Sequence, residues 1–132
     1  IFYHDKLLRH LSIGQRASAL ILFILTHNDT DVIIIDQPED DLDNKVIYDE
    51  VLKVIRAMKM NTQFIFATHN ANIPVLGDAE MILAADSDGE SITYQRGNID
   101  TRDSQQQIIT IMEGGTEAFA RRRLIYSSWS NQ

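Results

Sequence analysis

The hydrophobic positions in the first half of the chain follow two different periods. From Gln15 to His27 nearly every residue is apolar or small, which predicts a helix packed on most sides. Val32 to Ile35 is a β-branched run without alternation, which is typical of a parallel strand buried on both faces. Between Ile47 and Met58 apolar residues recur at helical spacing and charged residues occupy the other positions, so we expect an amphipathic helix there.

The pattern then predicts a second strand, a short helix and a third strand. Gln63 to Ala67 and Met81 to Ala85 are apolar runs of strand length. Ala71 to Leu76 is expected to form a short helix that is interrupted near Pro74. Because these strands alternate with helices, the chain is predicted to form an α/β fold with a parallel sheet.

Polar turns organise the last part of the chain. The turn Asp86–Gly89 is short enough for a hairpin, so Ser91 to Arg96 is predicted to be an antiparallel edge strand. Thr101 to Glu113 is predicted to be a helix ended by two glycines, and Thr116 can cap a last helix towards Tyr126. We expect the tail, Ser127 to Gln132, to be frayed. The predicted architecture is three-layered, with a mostly parallel sheet and one antiparallel edge strand.

Size and composition favour a single domain that spans residues 1–132. With 44% hydrophobic residues, the chain is long enough to bury a core. Its apolar runs are much shorter than the ~20 residues of a membrane helix, so we expect a cytoplasmic protein without membrane contact. The absence of cysteine excludes disulfides and thiolate zinc sites. Since the first residue is Ile1, we interpret the chain as a piece of a longer protein.

The charge distribution bears on possible partners. A net charge of −7 repels a phosphate backbone, and the basic residues form one short run, Arg121 to Arg123. We expect this run to be a solvated helix face. Nucleic acid is therefore not expected to bind this piece by itself, although a longer parent protein can bind it elsewhere.

The strand Val32–Ile35 leads directly into a carboxylate, Asp36. Ligands of open α/β sheets bind beyond the carboxyl ends of the strands, so Asp36 is expected at a site. In nucleotide-binding folds such an aspartate holds the Mg²⁺ ion that bridges phosphate oxygens. Taken alone, the pattern favours a strand followed by a solvated acidic loop.

Three further segments agree with Asp36 in order and spacing. Ser12 and Gly14 lie where the first helix begins, and there backbone N–H groups and the helix dipole can bind an anion. Asp41 to Asn44 follows the strand, and His69 lies just past the end of the next strand. A lone histidine at such a place is more often structural, but its position between two predicted strands favours a functional role.

Together these segments resemble the ABC superfamily of ATPases. The resemblance is to its coiled-coil-bearing branch, which includes chromosome-maintenance and double-strand-break-repair proteins, and to large bacterial AAA-like ATPases of that kind. Leu11–Gln15 is similar to the signature motif, and Val32–Asp36 is similar to the Walker B strand. Leu42–Asn44 is similar to the D-loop, and His69 is similar to the switch histidine. The resemblance implies a partial P-loop NTPase fold of ABC type, with ATP and Mg²⁺ as cofactors and Asp36 as the magnesium ligand.

The chain departs from the family pattern at three points. The phosphate loop, or Walker A motif, is absent from residues 1–132, so the N-terminal portion of a parent protein would supply it. Ile13 replaces a glycine of the signature, and close approach of the backbone to a phosphate is preserved at Gly14. The usual glutamate after the Walker B aspartate is Gln37, which cannot take a proton from water. Either Glu39 is the base, or the site is a slow clamp gated by nucleotide.

The resemblance also implies a homodimer in which two heads enclose two nucleotides. The predicted catalytic residues, which serve the nucleotide of their own head, are Gln37, Glu39 and His69. The predicted nucleotide-binding residues at the interface with the second head are Ser12, Gly14, Gln15 and Asp43. ATP would join the heads and hydrolysis would release them, which would drive conformational change in a larger protein that acts in DNA repair or bacterial defence.

Two other interpretations remain open. A metal-dependent nuclease would use the acidic cluster of residues 36–43, whose members are Asp36, Glu39, Asp40, Asp41 and Asp43. This interpretation explains the density of acids but neither the signature nor the histidine. A module that binds nucleotide or a partner without turnover is favoured by Gln37 and by the absent phosphate loop.

Overall fold

The computed structural model describes residues 2–3, 6–10, 13–25, 30–40, 42 and 44–130. The chain folds as two compact units, Ile1–Gly77 and Asp78–Gln132. None of the described helices combines the length and the apolar character that are needed to cross a membrane.

The N-terminal unit opens with two short strands, β1 (Phe2–Tyr3) and β2 (Lys6–Leu7), which pair antiparallel. A 3-10 turn follows over Leu8–His10. Helix α1 (Ile13–Leu25) confirms the first predicted helix and begins two residues earlier than expected. Within α1 the buried Ser18 hydroxyl donates to the Gly14 carbonyl at 2.9 Å, and this bond satisfies a polar group inside apolar surroundings.

Strands β3 (Val32–Asp36) and β4 (Gln63–Ala67) form the parallel pair that the sequence predicts. The prediction that β3 is buried on both faces is wrong for the described part of this unit. Ile33 is buried, whereas the side chain of Ile34, on the opposite face, is 72% exposed. The described core packs against the face that carries Ile33, and no described residue joins that core from the face that carries Ile34.

The predicted amphipathic helix is confirmed as three consecutive segments: α2 (Asn44–Val46), a π-helical turn (Ile47–Val51) and α3 (Leu52–Met58). The backbone N–H of Leu52 donates to the carbonyl of Ile47, five residues earlier, as in a π turn. This helix supplies most of the buried core cluster, whose members are Ile33, Leu42, Ile47, Val51, Leu52, Ile55 and Ile73. The apolar spacing did not indicate the π turn.

Helix α4 (Asn72–Leu76) lies close to the predicted bounds. The interruption expected near Pro74 is absent, because Pro74 occupies the first turn of the helix, where a missing N–H is tolerated. The N–H of Gly77 donates to the Ile73 carbonyl at 3.0 Å and completes the last turn.

In the C-terminal unit, β5 (Ile82–Ser87) and β6 (Ile92–Gly97) form an antiparallel hairpin. The expectation that this first strand joins a parallel sheet is not met among the described strands, since β5 pairs there with β6 alone. The predicted hairpin itself is confirmed, and in its tight turn the Asp88 carboxylate accepts the Ser91 N–H at 2.7 Å. The structure thus shows an α/β fold with small parallel and antiparallel sheets.

Helix α5 (Arg102–Met112) begins and ends as the sequence predicts. The Thr101 hydroxyl caps it by accepting the Ser104 N–H at 3.3 Å. At its other end Gly114 and Gly115 have φ angles of 75° and 92°. The Gly115 N–H donates to the Ile109 carbonyl at 2.9 Å, and glycines in the left-handed region are common just past a helix end.

Helix α6 (Thr116–Ser130) continues past Tyr126, so the predicted fraying of the tail is wrong as far as Ser130. Serine hydroxyls in this last turn donate to carbonyls three residues earlier, as Ser127 does to Leu124 at 2.9 Å. Residues 131–132 lie outside the described part. The arginine run on α6 is exposed, and Arg122 bonds to both the backbone carbonyl and the carboxylate of Glu113.

Candidate functional site

The carboxyl ends of β3 and β4 bring together two of the predicted site residues. Asp36, the last residue of β3, lies opposite Ala67, the last residue of β4, and His69 follows two residues later. Since the strands are parallel neighbours, both ends meet at one edge of the sheet. This confirms the predicted placement of Asp36 and His69 at a common edge.

The chain turns sharply where it leaves β3. Gln37 has a φ angle of 44°, in the left-handed region that non-glycine residues seldom adopt. Its N–H donates to the Ala67 carbonyl at 2.8 Å, and its side-chain Nε2 lies 3.4 Å from Nδ1 of His69. A 3-10 turn over Pro38–Asp40 then follows. Backbone strain of this kind is concentrated at functional sites.

The turn brings Glu39 back to the end of β4, where one of its carboxylate oxygens accepts two hydrogen bonds. Oε1 of Glu39 accepts the Thr68 hydroxyl at 2.6 Å and the backbone N–H of His69 at 2.7 Å. It also lies 3.1 Å from Nδ1 of His69. The Glu39 side chain is 6% exposed, whereas that of His69 is 66% exposed. Glu39 therefore lies beneath the loop that presents the histidine.

The electrostatics of Glu39 follow from these contacts. Burial disfavours the carboxylate, but hydrogen bonds from the Thr68 hydroxyl and the His69 N–H outweigh it and hold the pKa of Glu39 below its usual value of 4.5. The other oxygen, Oε2, is buried and has no hydrogen-bond partner among the described residues. Glu39 is thus a charged, inward-pointing group at neutral pH.

A chain of asparagine contacts joins the histidine loop to the start of α2. The Asn44 Oδ1 atom accepts from the side-chain amides of Asn70 at 2.8 Å and Asn72 at 3.4 Å. The backbone N–H of Asn70 donates to the Thr68 hydroxyl at 3.0 Å. Asn44 belongs to the segment that resembles a D-loop, whereas no role is predicted from sequence for Thr68, Asn70 or Asn72. The signal available was their type, since threonine and asparagine commonly bond to a backbone N–H two residues on.

The predicted signature residues are described only in part. Gly14 is the second residue of α1 and is half-buried, and Gln15 next to it is exposed. Ser12 and Asp43 lie outside the described residues. Their predicted contacts with the nucleotide of a second head stay predictions, as do the catalytic roles of Gln37, Glu39 and His69.

Asp36 fits the chemistry of a magnesium ligand. It is an exposed carboxylate at a strand end, and Mg²⁺ is commonly held by one or two carboxylates together with phosphate oxygens and water. In the described part of the chain, no three histidine, cysteine or acidic side chains are grouped so that they could hold a metal ion. The nuclease interpretation needs such a group. Asp36, Glu39 and Asp40 do not form one, and the other two members of its cluster, Asp41 and Asp43, lie outside the described residues.

Comparison with known proteins places this edge within a described family. The sequence profile of the family described as AAA domain, putative AbiEii toxin, Type IV TA system matches residues 7–75, more than half of the chain. The matched region contains β3, β4 and all the described site residues. No curated protein matches the chain significantly.

Proposed function

This chain belongs to the family described as AAA domain, putative AbiEii toxin, Type IV TA system, and from that premise we propose that it is part of an ATP-hydrolysing head of ABC type. The family indicates a nucleotide-binding, ATPase-like domain with a P-loop NTPase fold. One observation carries the finer proposal: Asp36, Gln37 and His69 lie at a single edge formed by two parallel strands. This is where ligands of α/β sheets bind.

The proposed roles follow from chemistry and exposure. Asp36 would hold Mg²⁺, which when bound with ATP neutralises charge on the phosphate oxygens. Exposed Gln37 would orient the attacking water, and His69 would contact the γ-phosphate or that water. Gly14 and Gln15, with Ser12 and Asp43, would serve the nucleotide of a second, identical head. The N-terminal Walker A portion of the parent protein would complete the site.

The biological setting is proposed from the family description. It names a putative toxin of a Type IV TA system, which supports bacterial defence over DNA repair as the role of the parent protein. A second candidate is a module that binds nucleotide without turnover. It is supported by the amide at Gln37 in place of a carboxylate, since an amide cannot accept a proton from water.

Single-turnover ATP hydrolysis by the full-length parent protein tests the proposal. We expect His69→Ala to lower the rate by roughly 100-fold, as for the loss of one preorganised donor, while ATP binding persists. Asp40→Asn is the control, because Asp40 is exposed and has no role in the proposed ATPase site. Wild-type protein that binds ATP without hydrolysing it would support the non-hydrolysing module. Plasmid nicking in the presence of manganese would support the nuclease.

A further inference from the structure

The position of Glu39 resolves a choice that the sequence left open. A general base must reach the water from which it takes a proton. The Glu39 side chain is 6% exposed, and it lies beneath a histidine that is 66% exposed. Its Oε1 atom already accepts two hydrogen bonds, and its Oε2 atom is buried. To act as a base, Glu39 would require the turn over Pro38–Asp40 to open.

We propose that Glu39 is a positioning residue that fixes the His69 loop, rather than the base of the reaction. The inference rests on the proposed function for its catalytic consequence. The loop is held by two hydrogen bonds to Oε1, from the Thr68 hydroxyl at 2.6 Å and the His69 N–H at 2.7 Å. The imidazole Nδ1 atom lies 3.1 Å from the same Oε1 atom.

The imidazole of His69 lies beside two groups at Nδ1. The side-chain Nε2 atom of Gln37 is a donor 3.4 Å away, so this hydrogen bond uses Nδ1 as an acceptor. The Oε1 atom of Glu39 lies 3.1 Å from the same Nδ1. The bonds from the Thr68 hydroxyl and the His69 backbone to Glu39 do not involve the ring, so they hold the loop independently of it.

The lowered pKa of Glu39 agrees with a positioning role. Hydrogen bonds from Thr68 and His69 outweigh the effect of burial and keep the pKa of Glu39 low, which makes it a weaker proton acceptor. The same bonds make it a stronger anchor, because hydrogen bonds to an ionised acceptor are stronger than those between neutral groups.

Two substitutions in the full-length protein separate positioning from base catalysis. In Glu39→Gln, the amide oxygen can still accept from Thr68 and His69 but cannot take a proton from water. We expect it to keep single-turnover hydrolysis within about 5-fold of wild type, whereas Glu39→Ala loses about 10–100-fold. If Glu39 is the base, both variants lose the same, roughly 10²–10⁴-fold, and the proposal is overturned.

A second variant keeps the proposal testable if Glu39→Ala fails to fold. Thr68→Val keeps the shape of the side chain but removes the hydroxyl donor, so it loosens Glu39 without touching the carboxylate. We expect an intermediate loss of turnover with unchanged ATP binding. Full activity in Thr68→Val would contradict the proposal that the bond from Thr68 to Glu39 positions the His69 loop.

The bond that holds the loop can be measured without any ATPase activity. The backbone N–H of His69 donates to Glu39 at 2.7 Å, so amide hydrogen exchange at His69, followed by NMR of the full-length protein, should be slow in wild type and in Glu39→Gln. In Glu39→Ala this amide should exchange about 10-fold faster. Equal exchange in wild type and Glu39→Ala would overturn the inference. An inactive parent with the expected exchange pattern would instead count against the proposed function alone.

Discussion

The two units of this chain are stabilised by different kinds of contact. Among the described residues, the buried hydrophobic side chains lie between Ala19 and Ile73, with Ile108 of the C-terminal unit as the exception. The C-terminal unit instead relies on polar contacts, such as the hydrogen bond from the side-chain amide of Gln107 to the side-chain Oε1 atom of Gln95 at 2.7 Å. The family match, residues 7–75, falls on the well-packed unit.

This difference shows where a precise site can be built. Burying an isoleucine side chain stabilises a fold by about 1.5–3 kcal/mol, whereas an exposed ion pair contributes about 0–1 kcal/mol. Asp36 ends β3 and His69 follows β4, and both strands pack against the buried cluster around Ile47 and Ile55. Chemistry that needs fixed distances is therefore carried by the N-terminal unit.

Truncation of a core isoleucine gives the largest expected effect and tests the comparison directly. Ile47 is completely buried, so Ile47→Ala should lower the free energy of unfolding by about 3 kcal/mol, measured by urea denaturation. Ile108→Ala, in the sparser C-terminal unit, should cost less because its surroundings can relax. Ile34→Ala is the control, since a side chain that is 72% exposed should change stability by less than about 0.5 kcal/mol. Equal losses in the free energy of unfolding for Ile47→Ala and Ile108→Ala would contradict the proposed difference in packing between the two units.

A close approach of backbone to side chain tests the C-terminal unit. A Cβ atom added at Gly97 would overlap the buried Ser104 hydroxyl and lie 3.3 Å from the Thr101 hydroxyl. Gly97→Ala should therefore destabilise this unit by about 1–2 kcal/mol. Adding Ser104→Ala removes the overlap, so the double variant should lose less than the sum of the single variants. Strict additivity in thermal unfolding would show that the overlap is not the cause.

Acid sensitivity gives the smallest expected effect and compares one carboxylate from each unit. In the folded protein, hydrogen bonds outweigh burial and lower the pKa of Glu39. The contribution of Glu39 to stability is therefore complete above pH 4.5 and is lost as the pH falls through the folded-state pKa. Glu39→Gln should flatten the fall in stability between about pH 5 and pH 3.

Asp88 provides the comparison in the second unit. Hydrogen bonds from the backbone of Ser91 and Glu90 lower the pKa of Asp88 below 3.8, but this carboxylate is fully exposed. Asp88→Asn should therefore change the acid sensitivity less than Glu39→Gln does, because solvent screens the charge. A larger effect from Asp88→Asn would reverse the contrast between the units.

Much of the local structure could be predicted because its causes are local. Helical spacing predicted the helix that contains Ile55, and a β-branched run predicted β3. The Thr101 cap and the two glycines after α5 fix the ends of that helix through bonds within a few residues. The order of strand, helix and strand placed Asp36 and His69 at one edge.

What the sequence by itself determined is therefore the elements, their order and the edge at which the polar residues meet. Only the tertiary structure decided that the chain reverses at Gln37, that Glu39 points inward under His69, and that Ile34 on β3 stays exposed. The physical reason is that these features depend on bonds between residues about thirty positions apart, as from Thr68 to Glu39, or on which face of a strand finds a partner. Periodicity reports the faces of one element, and it carries no information about the group that meets them.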